Sequence, residues 1–205
     1  MNGEVDFYIP DCEEFRRGYE VFDERETRGS IYFEAIRLIT ENWGDSVGMA
    51  EGIQRIIRGW NRFYANFDFD ELVNCLDRNI TILSHFRNRN IGTLSDDDSE
   101  TIRNLFNQFL DALKRVSDNA KSPVSVAKAL NPVAPNFFPL WDSNIAFAYG
   151  CYYLADIADS PYIRFCYKMK LMAERVRPCV PNSDDRSLLK RIDEYNYSKY
   201  TMHWI

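Results

Sequence analysis

Two side chains that can do covalent chemistry, Lys128 and Asp142, lie in one proline-rich stretch, residues 122–150. Lys128 belongs to a short apolar helical segment, 124–130, and we expect Asn131-Pro132 to end it because the residue before a proline disfavours helical geometry. A stiff apolar loop then delivers Asp142 to the start of a second apolar helix. A carboxylate in such a place can stabilise developing positive charge, and a lysine kept neutral by burial can act as a nucleophile.

Both residues also have a purely structural interpretation. Asp142 or Ser143 is well placed to cap the helix that follows, because either side chain can accept a hydrogen bond from the unpaired N–H groups of its first turn. For Lys128 the structural alternatives are a phosphate contact or an ion pair with Asp142. The residues alone leave these alternatives open.

The residues around Asp142 resemble those of a known family. Residues 138–145 read F-P-L-W-D-S-N-I, a lysine-bearing helix precedes them, and a helix ending in Tyr149-Gly150 follows. This order resembles the core of the helix-hairpin-helix DNA glycosylase superfamily, in which a loop of the type F-P-V-D-T-H-V brings in the catalytic aspartate. The match covers about 29 of the 205 residues. The chain departs from the family in lacking the hairpin glycines, in one extra residue before Asp142, and in a shorter step between lysine and aspartate, 142 − 128 = 14 positions.

The resemblance implies an all-α fold like that of the two-lobed glycosylases, in one domain over residues 1–205 with a cleft near 122–150. It implies a DNA N-glycosylase that flips a modified or damaged base out of duplex DNA, without a cofactor, in repair or in defence against modified foreign DNA. Asp142 would stabilise the sugar cation, and Lys128 would form a Schiff base and add strand cleavage. The base would contact Trp141, Phe138, Trp60, Tyr64 and Asn144, and the DNA backbone would contact Ser125, Lys121 and Arg62.

A second hypothesis keeps the helical scaffold without the chemistry. The chain would then be a non-catalytic module that binds DNA or another protein, with Asp142 reduced to a helix cap. The surroundings of Asp142 discriminate the two, because a catalytic acid should open into a cleft bordered by Arg and Lys, whereas a cap should point only at backbone N–H groups. An enzyme of unrelated chemistry in the same cleft is a third hypothesis, since a fold does not fix a function.

Composition limits the classes of protein. No stretch approaches the ~20 apolar residues that span a bilayer, and the polar N-terminus does not resemble a signal peptide, so we expect a cytoplasmic protein without a membrane partner. The net charge of −6 means that DNA contacts would need a local basic face. The five cysteines are an odd number without a C-x-x-C pair, which favours free thiols. With only two histidines, a metal site is not expected.

Helical periodicity extends along the rest of the chain and strand-like alternation is missing, so the sequence predicts nine or so helices. Besides the two around Asp142, we expect helices at about 12–26, 27–42, 46–63, 72–86, 101–116, 160–176 and 184–195. The apolar residues 151–158 are expected to be buried. Arg55, Arg58 and Arg62 recur on one helix face and form either a solvated face or a phosphate-contacting edge. Five aromatic residues in 60–69 form either core or a pocket wall.

Overall fold

The fold is built from α-helices joined by short loops and single helical turns. The computed structural model describes residues 6–181 and 184–205, and within them the only β pairing is one isolated bridge. The all-α prediction is therefore confirmed. The α-helices are α1 (Cys12–Arg25), α2 (Gly29–Glu41), α3 (Ser46–Trp60), α4 (Phe69–Arg87), α5 (Ser99–Ala112), α6 (Pro123–Val133), α7 (Ser143–Ala148), α8 (Asp159–Val176) and α9 (Leu188–Asn196).

Aspartate caps set the starts of several helices. Asp11 accepts from the N–H of Glu14 at the start of α1, and Asp45 accepts from Val47 at the start of α3. Asp68 caps α4 by accepting from two backbone N–H groups. Each cap satisfies N–H groups that have no partner inside the helix. The helix starts are thus fixed by local chemistry.

Buried side chains from all the α-helices described above join in one hydrophobic core. Helices α2 and α3 pack tightly against each other at two glycines of α3, Gly52 and Gly59. A Cβ at Gly52 would lie 2.6 Å from the Ile39 side chain, and a Cβ at Gly59 would lie 2.6 Å from Ile31. Any larger residue at these positions would force the two helices apart, and the end of α3 would move with them.

Helix α6 is longer than the sequence predicts. It continues through Pro132 to Val133, whereas we expected Asn131-Pro132 to stop it at residue 130. A proline in the last turn removes only one helical hydrogen bond, and the N–H of Ala134 still bonds the carbonyl of Leu130. The Asn131 amide donates to the carbonyl of Phe138 at 2.7 Å, which ties the end of α6 to the loop that leads to α7.

The last helix begins later than predicted. Helix α9 starts at Leu188, capped by Ser187, and not at Asp184. Asp184 instead forms an ion pair with Arg191 at 2.6 Å. Its other oxygen accepts from the N–H of Arg186 at 3.0 Å, in the turn before the helix, and Ser187 caps α9 by accepting from the N–H of Lys190.

The segment after α7 is more exposed than its apolar composition suggests. Cys151 and Ala158 are buried as expected, but Tyr152, Leu154 and Ile157 are 59%, 71% and 61% exposed. The prediction that 151–158 is buried is therefore wrong for these three side chains. The segment runs as a surface loop with one 3₁₀ turn, so only some of its side chains can face the core.

Two cysteines form a disulfide, contrary to the expectation of free thiols. Cys12, at the start of α1, is bonded to Cys179, which follows α8. The two lie 167 positions apart in sequence but their Cα atoms are 5.0 Å apart. Only the packing of α1 beside the end of α8 brings them together, so their spacing gave no signal. Cys75, Cys151 and Cys166 are free and buried.

Among the described residues, no helix is both long enough and apolar enough to cross a membrane.

Candidate functional site

A cavity of about 350 Å³ lies where the C-terminal end of α1 meets the α6–α7 connection and the end of the chain. Its volume falls in the range of small-molecule pockets, roughly 300–1,000 Å³. The lining contains two groups of residues to which we give names. The α6–α7 wall is Lys128, Trp141 and Asp142, and the terminal wall is Phe22, Glu26, Asp193, Tyr197 and Thr201.

Asp142 is at once the cap of α7 and part of the cavity lining. Its Oδ1 accepts from the N–H of Ile145 at 2.8 Å, and its Oδ2 accepts from the hydroxyl of Thr201 at 2.6 Å. The half-buried carboxylate is therefore held in one orientation by two hydrogen bonds. Of the two predicted caps, Asp142 and Ser143, the structure selects the aspartate.

Lys128 extends from α6 into the same cavity. Its Nζ donates to the carbonyl oxygen of Trp60 at 2.7 Å. Burial lowers the pKa of Lys128 to about 8, against the opposing effect of the carboxylates of Asp142 and Asp193. A lysine with this pKa carries a neutral, nucleophilic fraction near neutral pH that an ordinary surface lysine lacks.

Two tryptophans contribute to the lining in different ways. Trp141 is only 1% exposed, and its ring stacks on Tyr153 with centroids 4.8 Å apart. Trp60, at the end of α3, is half-buried and lies parallel to the ring of Tyr32, with centroids 5.8 Å apart. Trp141 is thus mainly a core residue with one edge at the cavity, whereas Trp60 is the larger aromatic surface there.

An ion pair joins Glu26, of the terminal wall, to Arg28, which also lines the cavity. The guanidinium donates to both oxygens of Glu26, from Nε at 2.9 Å and from Nη2 at 2.8 Å. The same Nη2 lies 3.3 Å from the hydroxyl of Tyr197. Hydrogen bonds to Glu26 raise the pKa of Arg28, so the guanidinium stays charged. The pair presents no net charge to the cavity.

A π-helical turn, Tyr197–Thr201, follows α9 and completes the terminal wall. Tyr197 and Thr201, four positions apart, share one face of this turn and both line the cavity. Such turns are rare in proteins, and those that occur often lie at functional sites. Here the turn delivers the Thr201 hydroxyl to Asp142 and so connects the two walls.

Charges around the cavity are balanced. The charged residues of the lining are Glu26, Arg28, Lys128, Asp142 and Asp193. Behind Asp193, the ammonium group of Lys190 lies 2.7 Å from its Oδ2. Each of the three carboxylates thus has one cation nearby. A site without surplus charge favours a neutral ring over a phosphate group, because a dianion would bind more strongly where cations outnumber acids.

The structure brings four of the predicted site residues together and leaves three pocket residues elsewhere. Asp142, Lys128, Trp141 and Trp60 all line the cavity. Three residues do not line it, namely Phe138, Tyr64 and Asn144. Phe138 is fully buried, with its ring 5.0 Å from that of Phe86. Tyr64 lies in the turn Arg62–Tyr64 after α3, and Asn144 is on the exposed face of α7.

The three predicted DNA-backbone residues do not form one basic face. Ser125 is buried on the inward side of α6 and accepts a hydrogen bond from Asn61 at 2.8 Å. Lys121 is paired with Asp111 at 2.8 Å. Arg62 is exposed. Ser125 lies on the face of α6 that points into the protein, so it is a structural residue of the α3–α6 contact.

Sequence reasoning missed the terminal wall. Its residues come from positions 22–26 and 193–201, far from Asp142 in sequence, and no local pattern connects them to it. The one available signal was the tyrosine-rich end of the chain. A π turn has no sequence pattern that could have placed Thr201 beside Asp142.

Comparison of the chain with protein-family models, curated proteins and solved structures finds no match.

Proposed function

We propose that this protein cleaves N-glycosidic bonds, and that its substrate is a modified base in DNA. The observation that carries the proposal is the shared cavity of Asp142 and Lys128, a fixed carboxylate beside a lysine of lowered pKa. The resemblance of residues 138–145 to the helix-hairpin-helix glycosylases supports DNA as the substrate.

The position of Asp142 suits the electrostatics of base removal. When the bond between C1′ and the base nitrogen breaks, its electron pair leaves with the base and positive charge develops on the sugar. A preorganised carboxylate stabilises that charge most where water is excluded. A water molecule then adds to C1′, and its proton is transferred to the solvent or to the departing base. Asp142 is well suited to this role because its two hydrogen bonds keep it in one orientation.

Lys128 offers a second route for the same intermediate. Its neutral amine can bond to C1′ in place of water as the bond to the base breaks. After the nitrogen loses a proton, the sugar ring opens at the C1′–O4′ bond to give a covalent Schiff base, and elimination of the 3′ phosphate then cleaves the strand. The lowered pKa supports this role because only the neutral amine is a nucleophile. The hydrogen bond from Nζ to the Trp60 carbonyl uses an N–H and leaves the lone pair of the neutral amine for the attack.

The lining suits a nucleobase. Trp60, Phe22 and Tyr197 present aromatic surface, and base–aromatic stacking is worth about 1–3 kcal/mol for each base. The balanced charges favour an uncharged ring. An extruded base would therefore find stacking surfaces and hydrogen-bonding groups in one place, as base-flipping enzymes require.

The surroundings of Asp142 favour the enzyme over the non-catalytic module. A residue serving only as a cap would point at backbone N–H groups beneath packed side chains. Asp142 does cap α7, but it also lines the cavity, together with Lys128 and Arg28. The cleft bordered by Arg and Lys is the arrangement that we expect of a catalytic acid.

Base release from duplex DNA tests the proposal. Oligonucleotides with oxidised, alkylated, deaminated or hypermodified bases are incubated with the protein, and abasic sites are developed with alkali. We expect release of at least one base, and a covalent adduct trapped by borohydride if Lys128 attacks the sugar. The Lys128→Met variant should form no adduct. Absence of release across the panel, with no DNA binding at low salt, would refute the proposal in favour of the interaction module.

A further inference from the structure

The terminal wall is supported by an ammonium group that the proposed reaction does not use. Lys190, on α9, is only 1% exposed. Its Nζ lies 4.6 Å from the ring centroid of Phe22, 5.0 Å from that of Tyr32 and 5.1 Å from that of Trp60. Burying a charge is costly, and a buried ion pair is often no more stabilising than apolar residues of the same volume. Stability of the fold therefore gives no sufficient reason for this lysine.

The lysine fixes one oxygen of Asp193. Its Nζ donates to Asp193 Oδ2 at 2.7 Å. The Asp193 side chain is 12% exposed and lines the cavity. Its other oxygen, Oδ1, has no hydrogen-bond partner among residues 6–181 and 184–205. Oδ2 of this mostly buried carboxylate is fixed by Lys190, and Oδ1 can accept a hydrogen bond from a ligand in the cavity.

The neighbouring acid has a different role. Glu194 is fully buried, and Arg186 and Arg191 contact its two oxygens at 2.7 and 3.0 Å. These contacts occupy Glu194 within the protein. Asp193 is therefore the acid of α9 that is available to a ligand.

The aromatic rings make the acceptor rigid. Three rings around one ammonium group attract it electrostatically and leave it little room to move. Because Phe22 and Trp60 also line the cavity, the rings that hold Lys190 are surfaces on which a ligand can stack. The acceptor and the stacking surface are thus fixed relative to each other.

We propose that Asp193 is the specificity-determining residue of the cavity, and that its Oδ1 accepts a hydrogen bond from an N–H group of the bound base. The ligand class is an uncharged nucleobase with an exocyclic amino group or a ring N–H on the edge remote from the sugar. A base without such a donor would cover this oxygen and leave it unpaired, and is therefore bound more weakly. The assignment rests on the proposed function, since it names the kind of base that the enzyme would release.

Asp193→Asn should reverse the preference. The Lys190 ammonium has only donors, so the amide oxygen of the variant, and not its NH₂ group, will turn towards it. The amide NH₂ then faces the cavity. An acceptor is thereby replaced by a donor at constant shape.

The test measures binding of methylated bases, in which the methyl group stands for the sugar. The probes are 9-methyladenine and 9-methylhypoxanthine against 9-methylpurine, and 1-methylcytosine against 1-methyl-2-pyrimidinone. Quenching of tryptophan fluorescence reports binding, since Trp60 lines the cavity. We expect the wild type to bind at least one donor-bearing base about 10- to 100-fold more tightly than its partner without the donor. In Asp193→Asn the ratio should fall to one or below.

Asp159→Asn is the matched control. Asp159 is also mostly buried, at 17% exposure, and pairs with Arg103 at 3.2 Å, but it does not line the cavity. In Asp159→Asn the ratio of affinities for the donor-bearing base and its partner should equal that of the wild type. Melting temperatures show whether both variants fold.

Equal affinities within every pair in the wild type, an unchanged ratio in Asp193→Asn, or no saturable binding of any probe would overturn the assignment. The proposed function is tested separately by base release from DNA. If bases are released from DNA but bases with and without the N–H donor bind equally well, the assignment of Asp193 is wrong and the proposed glycosylase activity is retained.

Discussion

The two walls of the cavity are encoded in opposite ways. The α6–α7 wall comes from one short stretch of chain, in which helix, loop and cap follow one another in sequence. The terminal wall comes from the end of α1 and from α9 and the turn after it. One wall is local and can be read from its residues, and the other exists only because the first and last helices pack together.

The walls also differ in what they supply. The α6–α7 wall provides the groups that would react, Asp142 and Lys128. The terminal wall provides groups that orient and select, such as the Thr201 hydroxyl on Asp142 and the acceptor on Asp193. The hydrogen bond between Thr201 and Asp142 is where the two meet. Reactive residues can thus be recognisable in a sequence while the residues that bind and select the substrate are not.

The largest effect is expected from Trp141, the residue of the α6–α7 wall that belongs mostly to the core. Trp141→Ala should lower the free energy of unfolding by about 3–5 kcal/mol, because a large buried ring is replaced by a cavity. Urea denaturation measures the loss, and Trp141→Phe should lose less. A decrease in the free energy of unfolding of less than about 1 kcal/mol would show that the Trp141 ring is not needed for core packing.

A smaller effect, on rate alone, is expected at the junction of the walls. Thr201→Val removes the hydroxyl that orients Asp142 and should lower kcat for base release about tenfold, the effect of one lost hydrogen bond to a charged group. KM should change little, because the base does not need this hydroxyl to bind. Thr201→Ser, which keeps the hydroxyl, should restore the rate. Equal rates in all three proteins would show that the Thr201 hydroxyl does not assist Asp142 in the reaction.

A pH effect distinguishes Lys128 from an ordinary surface lysine. In the unfolded chain its pKa is near 10.5, and in the folded protein burial lowers it to about 8. Between these values Lys128 binds more protons in the unfolded state, so its own contribution to the free energy of unfolding should rise with pH from about 8 to 10.5. The difference in free energy of unfolding between the wild type and Lys128→Met should therefore change in favour of the wild type over this range. Denaturation at pH 7.5, 9 and 10.5 measures it, and parallel curves for the two proteins would show that the lysine pKa is normal.

The smallest effect is expected at Lys121, outside both walls. Its ammonium group is paired with Asp111 and lies 3.6 Å from Asp156. Because these two carboxylates already neutralise the ammonium group, Lys121→Ala should change the affinity for duplex DNA less than twofold. Arg62→Ala serves as the comparison at an exposed position. A salt dependence reduced by about one phosphate contact in Lys121→Ala would assign this residue to the DNA interface after all.

The local parts of the structure were predictable from the sequence. The helical class, the aspartate caps and the placement of Asp142 and Lys128 in one stretch follow from periodicity and capping, which are local rules. The exposure of Tyr152, Leu154 and Ile157, the Cys12–Cys179 bond and the inward side of Ser125 depend on which surfaces meet. The same holds for Thr201, whose partner Asp142 lies 59 positions away, and for Asp193, which lines the cavity only because of the way α9 packs.

The most direct test of the account compares two helix caps, only one of which lines the cavity. Asp142→Asn and Asp45→Asn both keep a good cap, so both proteins should fold. On an oligonucleotide whose base the wild type releases, we expect Asp142→Asn to lose at least about 100-fold in rate, as when a preorganised electrostatic group is removed. Asp45→Asn should react at the wild-type rate. Equal rates for Asp142→Asn and the wild type would contradict the account and make Asp142 a cap alone.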